Sequence, residues 1–361
     1  MNYLDRSLAQ KKALMEAGHA RILAIETSCD ETACAIVEDG RRTLAAAVAS
    51  QIDMHALYGG VVPEIASRMH VEALCPVVEQ TLKEAGMGFA DPDAIAVTYG
   101  PGLVGALLTG VSYAKALAWA LGKPLVPVHH IEGHVSANYL ACPDLAPPFC
   151  CLVVSGGHSH IVQVERYGHY TLLGQTTDDA AGEAFDKVAR VLGLPYPGGP
   201  LLDKLAEEGD EYAYAFPRIR TQGRYDYSFS GLKTAVVNAA HNLRQSGEAV
   251  RAADFAASFR RAVVDALVDK AVAAALDHGM HTIALAGGVA SNRLLRRELA
   301  RVAGAKGLDV RMPPPRLCTD NAEMIASAAF FRLMAGETAA LSLNAQPSCR
   351  LPEGQTVRDR P

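Results

Sequence analysis

Short apolar runs alternate with stretches of helical periodicity in the first third of the chain. Two apolar runs, 22–25 and 33–37, flank the polar segment 26–32, which predicts a hairpin whose turn carries acids and hydroxyls. The pattern then predicts a helix, a strand, a helix and a strand, at residues 61–82, 94–98, 104–121 and 123–128. Strands that alternate with helices in this way indicate an α/β fold.

The same pattern returns roughly 130 residues later, which indicates a duplicated α/β domain. An apolar run at 150–154 leads into a Ser-Gly-Gly turn, and a second run follows at 160–164. Later elements are predicted to be a strand and two helices, at residues 282–286, 293–303 and 322–336. We therefore predict an N-terminal extension, two α/β lobes and a flexible tail, with the bounds 1–20, 21–148, 149–345 and 346–361.

Composition narrows the class of protein. The chain has 361 residues, of which 50% are hydrophobic and 20% are charged, and this suits a well-packed domain pair. Its net charge of −5 argues against a surface that coats nucleic acid. The eight cysteines form no Cys-x-x-Cys pair, the N-terminus has no secretory signal, and no apolar run reaches 18 residues. We predict a cytoplasmic location.

The first candidate for chemistry is a pair of histidines, His130 and His134, just before a run of helix formers. If the segment is helical, the i and i+4 positions share a face, so both imidazoles can reach one metal ion. The alternative is two histidines satisfied by hydrogen bonds at the start of a helix.

Two glycine turns follow apolar strands. Ser155, Gly156 and Gly157 present backbone N–H groups with no side chain in the way, as a phosphate requires. Gly287 and Gly288 do so at the start of a helix, where the dipole also favours an anion. Each pair alone suits an ordinary turn, but together they favour nucleotide binding. A P-loop and a dinucleotide-binding fingerprint are both missing from the sequence.

Acidic residues are the remaining candidates. Asp30 and Glu31 lie in the turn of the first predicted hairpin. The alternative to a functional role is that this turn is an ordinary solvated hairpin tip. Asp320 lies where a loop enters a helix, a position at which Asp commonly caps the helix, with Thr319 as a competing cap.

Many short motifs together resemble the TsaD family of tRNA N6-adenosine threonylcarbamoyltransferases, formerly called O-sialoglycoprotein endopeptidases. In chain order they are IETSCDET (25–32), VPEIASR (62–68), GPGL (100–103), HHIEGH (129–134), VSGGH (154–158), GEAFDK (182–187), YPGGP (196–200), FSGLKT (229–234), GGVASN (287–292) and CTDN (318–321). They span about residues 21–340 in the family's order, and the HHIEGH form is similar to the bacterial branch.

The resemblance implies an actin/Hsp70/sugar-kinase-like fold with two ribonuclease-H-like lobes around a nucleotide cleft. It implies transfer of threonylcarbamoyl from threonylcarbamoyl-AMP to N6 of adenosine 37, in tRNAs that read codons starting with A. It further implies one divalent metal, Fe²⁺ or else Zn²⁺, held by His130, His134 and Asp320. The implied partners are a TsaB-like paralogue and a TsaE-like ATPase, without a membrane. The implied substrate-binding residues are Val153, Val154, Ser155, Gly156, Gly157, Asp186, Gly199, Asp203 and Asn292.

Two hypotheses about the reaction follow. Asp30 or Glu31 positions the attacking amine or accepts its proton. The third metal ligand, Asp320, belongs to the second predicted lobe, so metal binding would help to fix the closure of the lobes.

Three other functions stay open from the sequence. A metallopeptidase would use His-Glu-x-x-His, which is missing here because Glu132 is second after His130. A small-molecule kinase suits the glycine turns but has no need of the two histidines. A non-catalytic scaffold has no need of them either.

Overall fold

The structure is a computed structural model that describes residues 2–217, 221–245 and 251–351. Contacts divide it into two compact units. Of the described residues, unit 1 contains 2–147, 166–170 and 320–351, and unit 2 contains those in the ranges 148–165 and 171–319.

The first half of the chain confirms the predicted order of strands and helices. Its elements are α1 (Tyr3–Ala17), β1 (Arg21–Glu26), β2 (Glu31–Glu38), β3 (Arg42–Ser50), α2 (Ile52–Ala56), α3 (Pro63–Ala85), β4 (Ala94–Gly100), α4 (Val104–Leu121), β5 (Leu125–His129) and α5 (His130–Ala141). The β3 strand is additional to the prediction, and α5 begins at His130 itself.

The second half contains more helix than the apolar pattern predicted. Its elements are β6 (Phe149–Val154), β7 (Ser159–Arg166), β8 (His169–Gln175), α6 (Ala181–Val191), α7 (Gly198–Leu205), α8 (Ser230–Gln245), α9 (Ala252–Asp277), β9 (Thr282–Ala286), α10 (Arg293–Gly304), β10 (Asp309–Arg311) and α11 (Ala322–Met334). The long α9 buries Phe255, Phe259 and Leu267 in the core of unit 2.

The two sheets repeat one topology. Their strand orders are β3-β2-β1-β4-β5 and β8-β7-β6-β9-β10. In each sheet the central strand pairs antiparallel with the strand that follows it and parallel with the strand on its other side. The predicted duplication of an α/β domain is therefore present in the topology.

The bounds of the second predicted lobe differ from the structure. We predicted a lobe at 149–345, but residues 320–345 belong to unit 1 because α11 packs on α5 and on β1. Gly133 of α5 shows how close this packing is, since a Cβ there would lie 2.6 Å from Cδ1 of Ile325.

The prediction of a flexible tail at 346–361 is wrong for residues 346–349. The Gln346 N–H donates to the Tyr99 carbonyl over 2.8 Å, and the Gly102 N–H donates to the Pro347 carbonyl over 3.2 Å. A Cβ at Gly100 would lie 2.1 Å from the Gln346 carbonyl oxygen, so the tail contacts the end of β4 directly. Residues 352–361 lie outside the described residues.

The N-terminal extension forms a capped helix on unit 1. Tyr3 Oη donates to the Lys123 carbonyl, and Gln10 Nε2 donates to the Asp93 carbonyl. These two carbonyls directly precede β5 and β4, so α1 covers the amino ends of these parallel strands.

Within the part of the chain that the structure describes, one helix, α4, is long and apolar enough to cross a membrane by length and composition. A helix that lines a protein core has the same composition, and α4 buries Ala106, Val111 and Ala114 in unit 1. Gly110 lets it approach β1, since a Cβ there would lie 2.3 Å from Oγ1 of Thr27.

Candidate metal centre and glycine turns

The carboxyl end of β5 delivers the two histidines of unit 1. His129 ends the strand and caps α5, because its Nδ1 accepts the Ile131 N–H over 3.2 Å. His130 and His134 then lie one helical turn apart, with ring centroids separated by 4.6 Å. Both side chains are buried, His134 completely. The predicted shared face of the two histidines is confirmed.

Asp320 joins these histidines within unit 1. Its Oδ1 lies 3.5 Å from His130 Nε2 and 3.3 Å from His134 Nε2. The ligand atoms of the three residues all lie within 4.8 Å of one another. Asn321 caps α11 instead, by accepting the Met324 N–H over 2.9 Å, so Asp320 is not required as the cap. The hypothesis that Asp320 links two lobes is wrong, because all three residues belong to unit 1.

Glu26 at the end of β1 holds the far side of the His130 ring. Its Oε2 lies 3.5 Å from His130 Nδ1, and the Ser28 hydroxyl lies 3.2 Å from the same nitrogen. The carboxylate of Glu26 is itself held by the Ser28 N–H at 2.6 Å and by the Thr98 hydroxyl. A carboxylate behind an imidazole orients the other ring nitrogen towards a metal.

Electrostatics distinguish the two histidines. Burial lowers the pKa of His130, but the carboxylates of Asp320 and Glu26 outweigh this effect and raise its pKa to about 9. Burial is the main cause that lowers the pKa of His134. His134 is thus already a neutral imidazole at neutral pH, whereas a metal would have to displace a proton from His130.

A divalent metal ion fits this set of residues. Neither ring nitrogen of His134 makes a hydrogen bond within the described part of the chain, although the imidazole is fully buried. An unsatisfied buried imidazole is costly, and a metal ion would satisfy one of its two nitrogens. Two imidazoles and one carboxylate leave coordination positions open, as catalytic zinc and non-haem iron sites do.

The two acids proposed for catalysis also lie in unit 1, in the turn between β1 and β2. Glu31 Oε1 accepts the Ser50 hydroxyl over 3.0 Å, whereas its buried Oε2 makes no hydrogen bond within the described residues. Burial, followed by the charge of Asp30, raises the pKa of Glu31 to about 8. His70 fixes the turn, because its Nε2 donates to the Cys29 carbonyl and its Nδ1 accepts the Thr32 hydroxyl.

In unit 2, the predicted phosphate turn follows β6. The strand ends with Val153 and Val154, and the turn closes where the Ser155 N–H donates to the His158 carbonyl over 2.8 Å. Gly156 and Gly157 are exposed, and a Cβ on either would meet no atom within 4 Å. The backbone here is therefore open to a ligand.

Two other glycines fit closely behind this turn. A Cβ at Gly182 would lie 2.7 Å from the Ser155 carbonyl oxygen. A Cβ at Gly287 would lie 2.4 Å from the Val154 carbonyl oxygen, and Gly287 has a φ of +88°. These glycines are needed for backbone-to-backbone contact.

The predicted ligands Asp186 and Gly199 contact each other. The Gly199 N–H, in the first turn of α7, donates to Asp186 Oδ1 over 2.8 Å. Burial raises the pKa of Asp186 although this backbone bond acts in the opposite direction. Oδ1 of Asp186 is thus occupied within the protein.

Asp203 and Asn292 form a second pair, and a residue missed by the sequence analysis supports it. Asn292 Nδ2 donates to Asp203 Oδ1 over 2.8 Å, and Asn292 Oδ1 caps α10. Arg260 Nη1 donates to the same Asp203 oxygen over 2.9 Å and is only 2% exposed. Arg260 was not among the predicted site residues. It lies one helical turn from both Ala256 and Val264 on the buried face of α9, and this position within the apolar pattern was the available signal.

The sequence-predicted residues therefore form two groups. Unit 1 brings together His130, His134 and Asp320, with Asp30 and Glu31 in a nearby strand turn. Unit 2 holds all the predicted substrate-binding residues. Arg218 and Arg220, two of the basic residues of the chain, lie outside the described residues.

Comparison with known proteins gives consistent matches. The family model of TsaD, tRNA N6-adenosine threonylcarbamoyltransferase, matches residues 42–327. A curated protein of that name from Clostridium perfringens (strain SM101 / Type A) is 56% identical over 333 residues, 92% of this chain and 98% of the relative. A protein of the same name from Clostridium novyi (strain NT) is 55% identical over 335 residues, with the same coverage.

Solved structures agree on the fold. HypF from T. kodakarensis aligns with a TM-score of 0.61 at 16% identity, over 88% of this chain and 48% of HypF. (R)-2-Hydroxyglutaryl-CoA dehydratase component A from Acidaminococcus fermentans aligns with a TM-score of 0.50 at 14% identity, over 87% of this chain and 98% of that protein. These matches confirm the predicted actin/Hsp70/sugar-kinase-like α/β fold.

Proposed function

The chain belongs to the TsaD family of tRNA N6-adenosine threonylcarbamoyltransferases, and we propose that it catalyses the family's reaction with a divalent metal held by His130, His134 and Asp320. The exocyclic N6 of adenosine 37 in the tRNA forms a bond to the carbamoyl carbon of threonylcarbamoyl-AMP. The bond from that carbon to the phosphate oxygen breaks, AMP leaves, and the amine loses a proton. The observation that carries the metal proposal is the convergence of three ligand atoms within 4.8 Å around an unsatisfied, buried His134.

Fe²⁺ is our first candidate for the metal, with Zn²⁺ as the alternative, because both accept two imidazoles and one carboxylate and leave positions open. When bound, the metal would supply Lewis-acid chemistry for the threonyl and phosphate oxygens of the substrate. Glu26 keeps the His130 ring oriented, since its carboxylate is fixed by Ser28 and Thr98.

The glycine turn of unit 2 is our candidate for holding the leaving phosphate. Ser155, Gly156 and Gly157 follow β6 at its carboxyl end, and the two glycines are exposed. The backbone N–H groups of Gly156 and Gly157 would stabilise an anion without the need to reorganise, whereas the Ser155 N–H already donates to the His158 carbonyl. Val153 and Val154 are the last two residues of β6, so they fix the position at which this turn begins.

Asp186, Gly199, Asp203 and Asn292 are our candidates for the adenosine part of the substrate. Asp186 has one oxygen on the Gly199 N–H, which leaves its second oxygen for a hydroxyl group. Asp203 and Asn292 are held in fixed orientations by Arg260 and by the start of α10. Such preorganisation lowers the cost of ordering the site on binding.

Asp30 or Glu31 is our candidate for the group that positions the amine or accepts its proton. Burial and the charge of Asp30 raise the pKa of Glu31 to about 8, much closer to neutral pH than the pKa of an ordinary carboxyl group. A general base is most effective when its pKa is near the operating pH.

We further propose that the enzyme acts in the cytoplasm with a TsaB-like paralogue and a TsaE-like ATPase. The net charge of −5 supports a role for partners in tRNA binding. The basic residues Arg261, Arg297 and Arg301 form ion pairs with the three carboxylates of Asp265, Glu211 and Glu298, so they offer little uncompensated positive charge.

Reconstitution tests the function. The chain, threonylcarbamoyl-AMP, tRNA and the two partner proteins are incubated with Fe²⁺ or Zn²⁺, and the nucleosides are analysed by mass spectrometry. We expect threonylcarbamoyladenosine from the wild type and almost none from Asp320→Ala, whose metal content should also fall. Full activity and full metal content in Asp320→Ala would contradict the metal site, and no modified nucleoside with the wild type would contradict the function.

A further inference from the structure

A buried ion pair joins the two helices of unit 1 that are associated with the ligand set. Glu132 lies on α5 between the two histidines, and its side chain is 1% exposed. Its Oε2 lies 2.8 Å from Nη1 of Arg332 on α11, and its Oε1 accepts a hydrogen bond from Tyr170. Nη2 of Arg332 also lies 2.6 Å from Oε2 of Glu337. None of these groups has a role in the proposed reaction.

The contact between α5 and α11 leaves little room for adjustment. A Cβ at Gly133 would lie 2.6 Å from Ile325 Cδ1 and 3.2 Å from Met324 Cγ. The Ser327 hydroxyl donates to the Ser136 carbonyl over 3.2 Å. Close-packed interfaces of this kind transmit small displacements instead of absorbing them.

The spacing of these two helices determines the shape of the ligand set. His130 and His134 lie on α5, and Asp320 directly precedes the capping residue of α11. A shift of α11 along α5 would therefore move the Asp320 carboxylate relative to both imidazoles.

Burial of an ion pair gives little net stability, because the desolvation of two charges offsets their attraction. The better-supported role of such a pair is to select one arrangement of the elements that it joins. Geometry matters here, since metal ligands must be placed within a few tenths of an ångström.

We propose that Glu132 and Arg332 are positioning residues that set the spacing of α5 and α11, and thereby the metal affinity of the His130, His134 and Asp320 site. This inference rests on the metal-dependent function proposed above. It assigns to Glu132 the role of a fixed ion-pair partner, which is incompatible with the role of a free general base in a peptidase.

The test separates fold stability from metal affinity. In the double variant Glu132→Leu/Arg332→Met, apolar side chains of similar volume replace the pair, a change that commonly preserves stability. Titration of the metal-free chain with Fe²⁺ or Zn²⁺, followed by elemental analysis, gives the affinity, and thermal unfolding without metal gives the Tm. We expect a Tm near that of the wild type and a metal affinity lower by about tenfold. Loss of a residue that orients metal ligands commonly lowers the affinity by 10- to 100-fold, and tenfold is the lower end of this range.

The matched control is Arg261→Met in unit 2. Arg261 is 17% exposed in its side chain and pairs with Asp265 at 2.7 Å. Its loss should lower the Tm and leave the metal affinity unchanged. A double variant with wild-type metal affinity would overturn the proposal.

If the double variant does not fold, Arg332→Lys replaces it, because Lys keeps the charge but loses the planar fork. We expect this variant to fold and to bind metal severalfold more weakly. Wild-type affinity in Arg332→Lys would overturn the inference. A wild-type chain that binds neither metal would overturn both the inference and the metal dependence of the proposed function, which distinguishes the two failures.

Discussion

Units 1 and 2 use one sheet topology for two kinds of site. In unit 1, the strand ends present side chains, with two imidazoles and a carboxylate whose ligand atoms lie within 4.8 Å. In unit 2, the strand ends present backbone, where Gly156 and Gly157 are open to solvent and Gly182 and Gly287 fit against neighbouring carbonyls. Topology places chemistry at the carboxyl ends of strands, but the residue types at those ends decide which chemistry it is.

The comparison leads to different expectations for mutations. A site made from side chains fails when ligand atoms are removed, although the fold persists. A site made from backbone has no such atoms to remove, and it fails when an added Cβ displaces the main chain.

The largest effect is expected from His134→Asn. This change removes a ligand from the set and also replaces a buried imidazole that has no hydrogen bond among the described residues. We expect transfer activity to fall by at least about a hundredfold, since support residues around metal ligands alone cost 10- to 100-fold. Elemental analysis should show little metal, whereas the circular dichroism spectrum should be unchanged. Normal metal content in this variant would show that His134 is not a ligand.

The second prediction concerns Gly287→Ala in unit 2. The new Cβ would lie 2.4 Å from the Val154 carbonyl oxygen, at a residue whose φ is +88°. We expect a loss of about 2–3 kcal/mol in the free energy of unfolding, measured with denaturant, because strained backbone of this kind costs 1–3 kcal/mol. The KM for threonylcarbamoyl-AMP should rise, since Val154 leads directly into the phosphate turn.

Gly288→Ala is the control for this prediction, because a Cβ at Gly288 meets no atom within 4 Å. It should leave the free energy of unfolding nearly unchanged. If the two variants lost the same free energy of unfolding, the close backbone contact at Gly287 would not be the cause of the loss.

The sequence predicted the local parts of both sites well. Helical spacing placed His130 and His134 on one face, and the runs before Ser155 and Gly287 were correctly predicted as strands. These features depend on residues a few positions apart, for which hydrophobic periodicity is informative.

Long-range features could not be predicted in the same way. Assignment of Asp320 to unit 1 follows from the packing of α11 on α5, and no local pattern encodes the partner of a helix. Arg260 was missed because an Arg that adjoins a second one, Arg261, looks like a surface residue until the carboxylates of Asp203 and Glu207 are placed beside it. Polar residues after 345 indicated a frayed tail, but hydrogen bonds through their backbone do not depend on side-chain polarity.

The third prediction tests whether this tail belongs to the side-chain site. His129 caps α5 and its Nε2 donates to the Cys349 carbonyl over 3.4 Å, while Gln346 binds the Tyr99 carbonyl. Deletion of residues 346–361 should weaken metal binding about fivefold, because His129 would lose its hydrogen bond to Cys349, and one hydrogen bond contributes about 1 kcal/mol. Metal titration measures the effect. Deletion of residues 352–361 alone is the control, and an equal effect of both deletions would contradict a role for residues 346–349.

The smallest predicted effect is a pH dependence that belongs to unit 2. His160 on β7 has no hydrogen-bond partner for its Nδ1 within the described residues, in contrast to His130, whose Nδ1 faces Glu26. Burial alone lowers the pKa of His160 to about 4. Between this value and the ordinary pKa of 6.5, the unfolded chain binds more protons than the folded chain, so the free energy of unfolding must rise with pH in that window.

Above pH 6.5 the contribution of His160 to stability is therefore fully present, and it is lost as the pH falls towards 4. We expect a loss of about 1 kcal/mol between pH 7.5 and about 5.5, measured by denaturant unfolding, and His160→Asn should remove this part of the pH dependence. The metal content at pH 7.5 should be the same in the variant and in the wild type, because His160 belongs to unit 2 and the ligand set to unit 1. If the variant kept the wild-type pH dependence of the free energy of unfolding, His160 would not be the source of that dependence. If the variant lost metal, the metal site of unit 1 would depend on a histidine of unit 2.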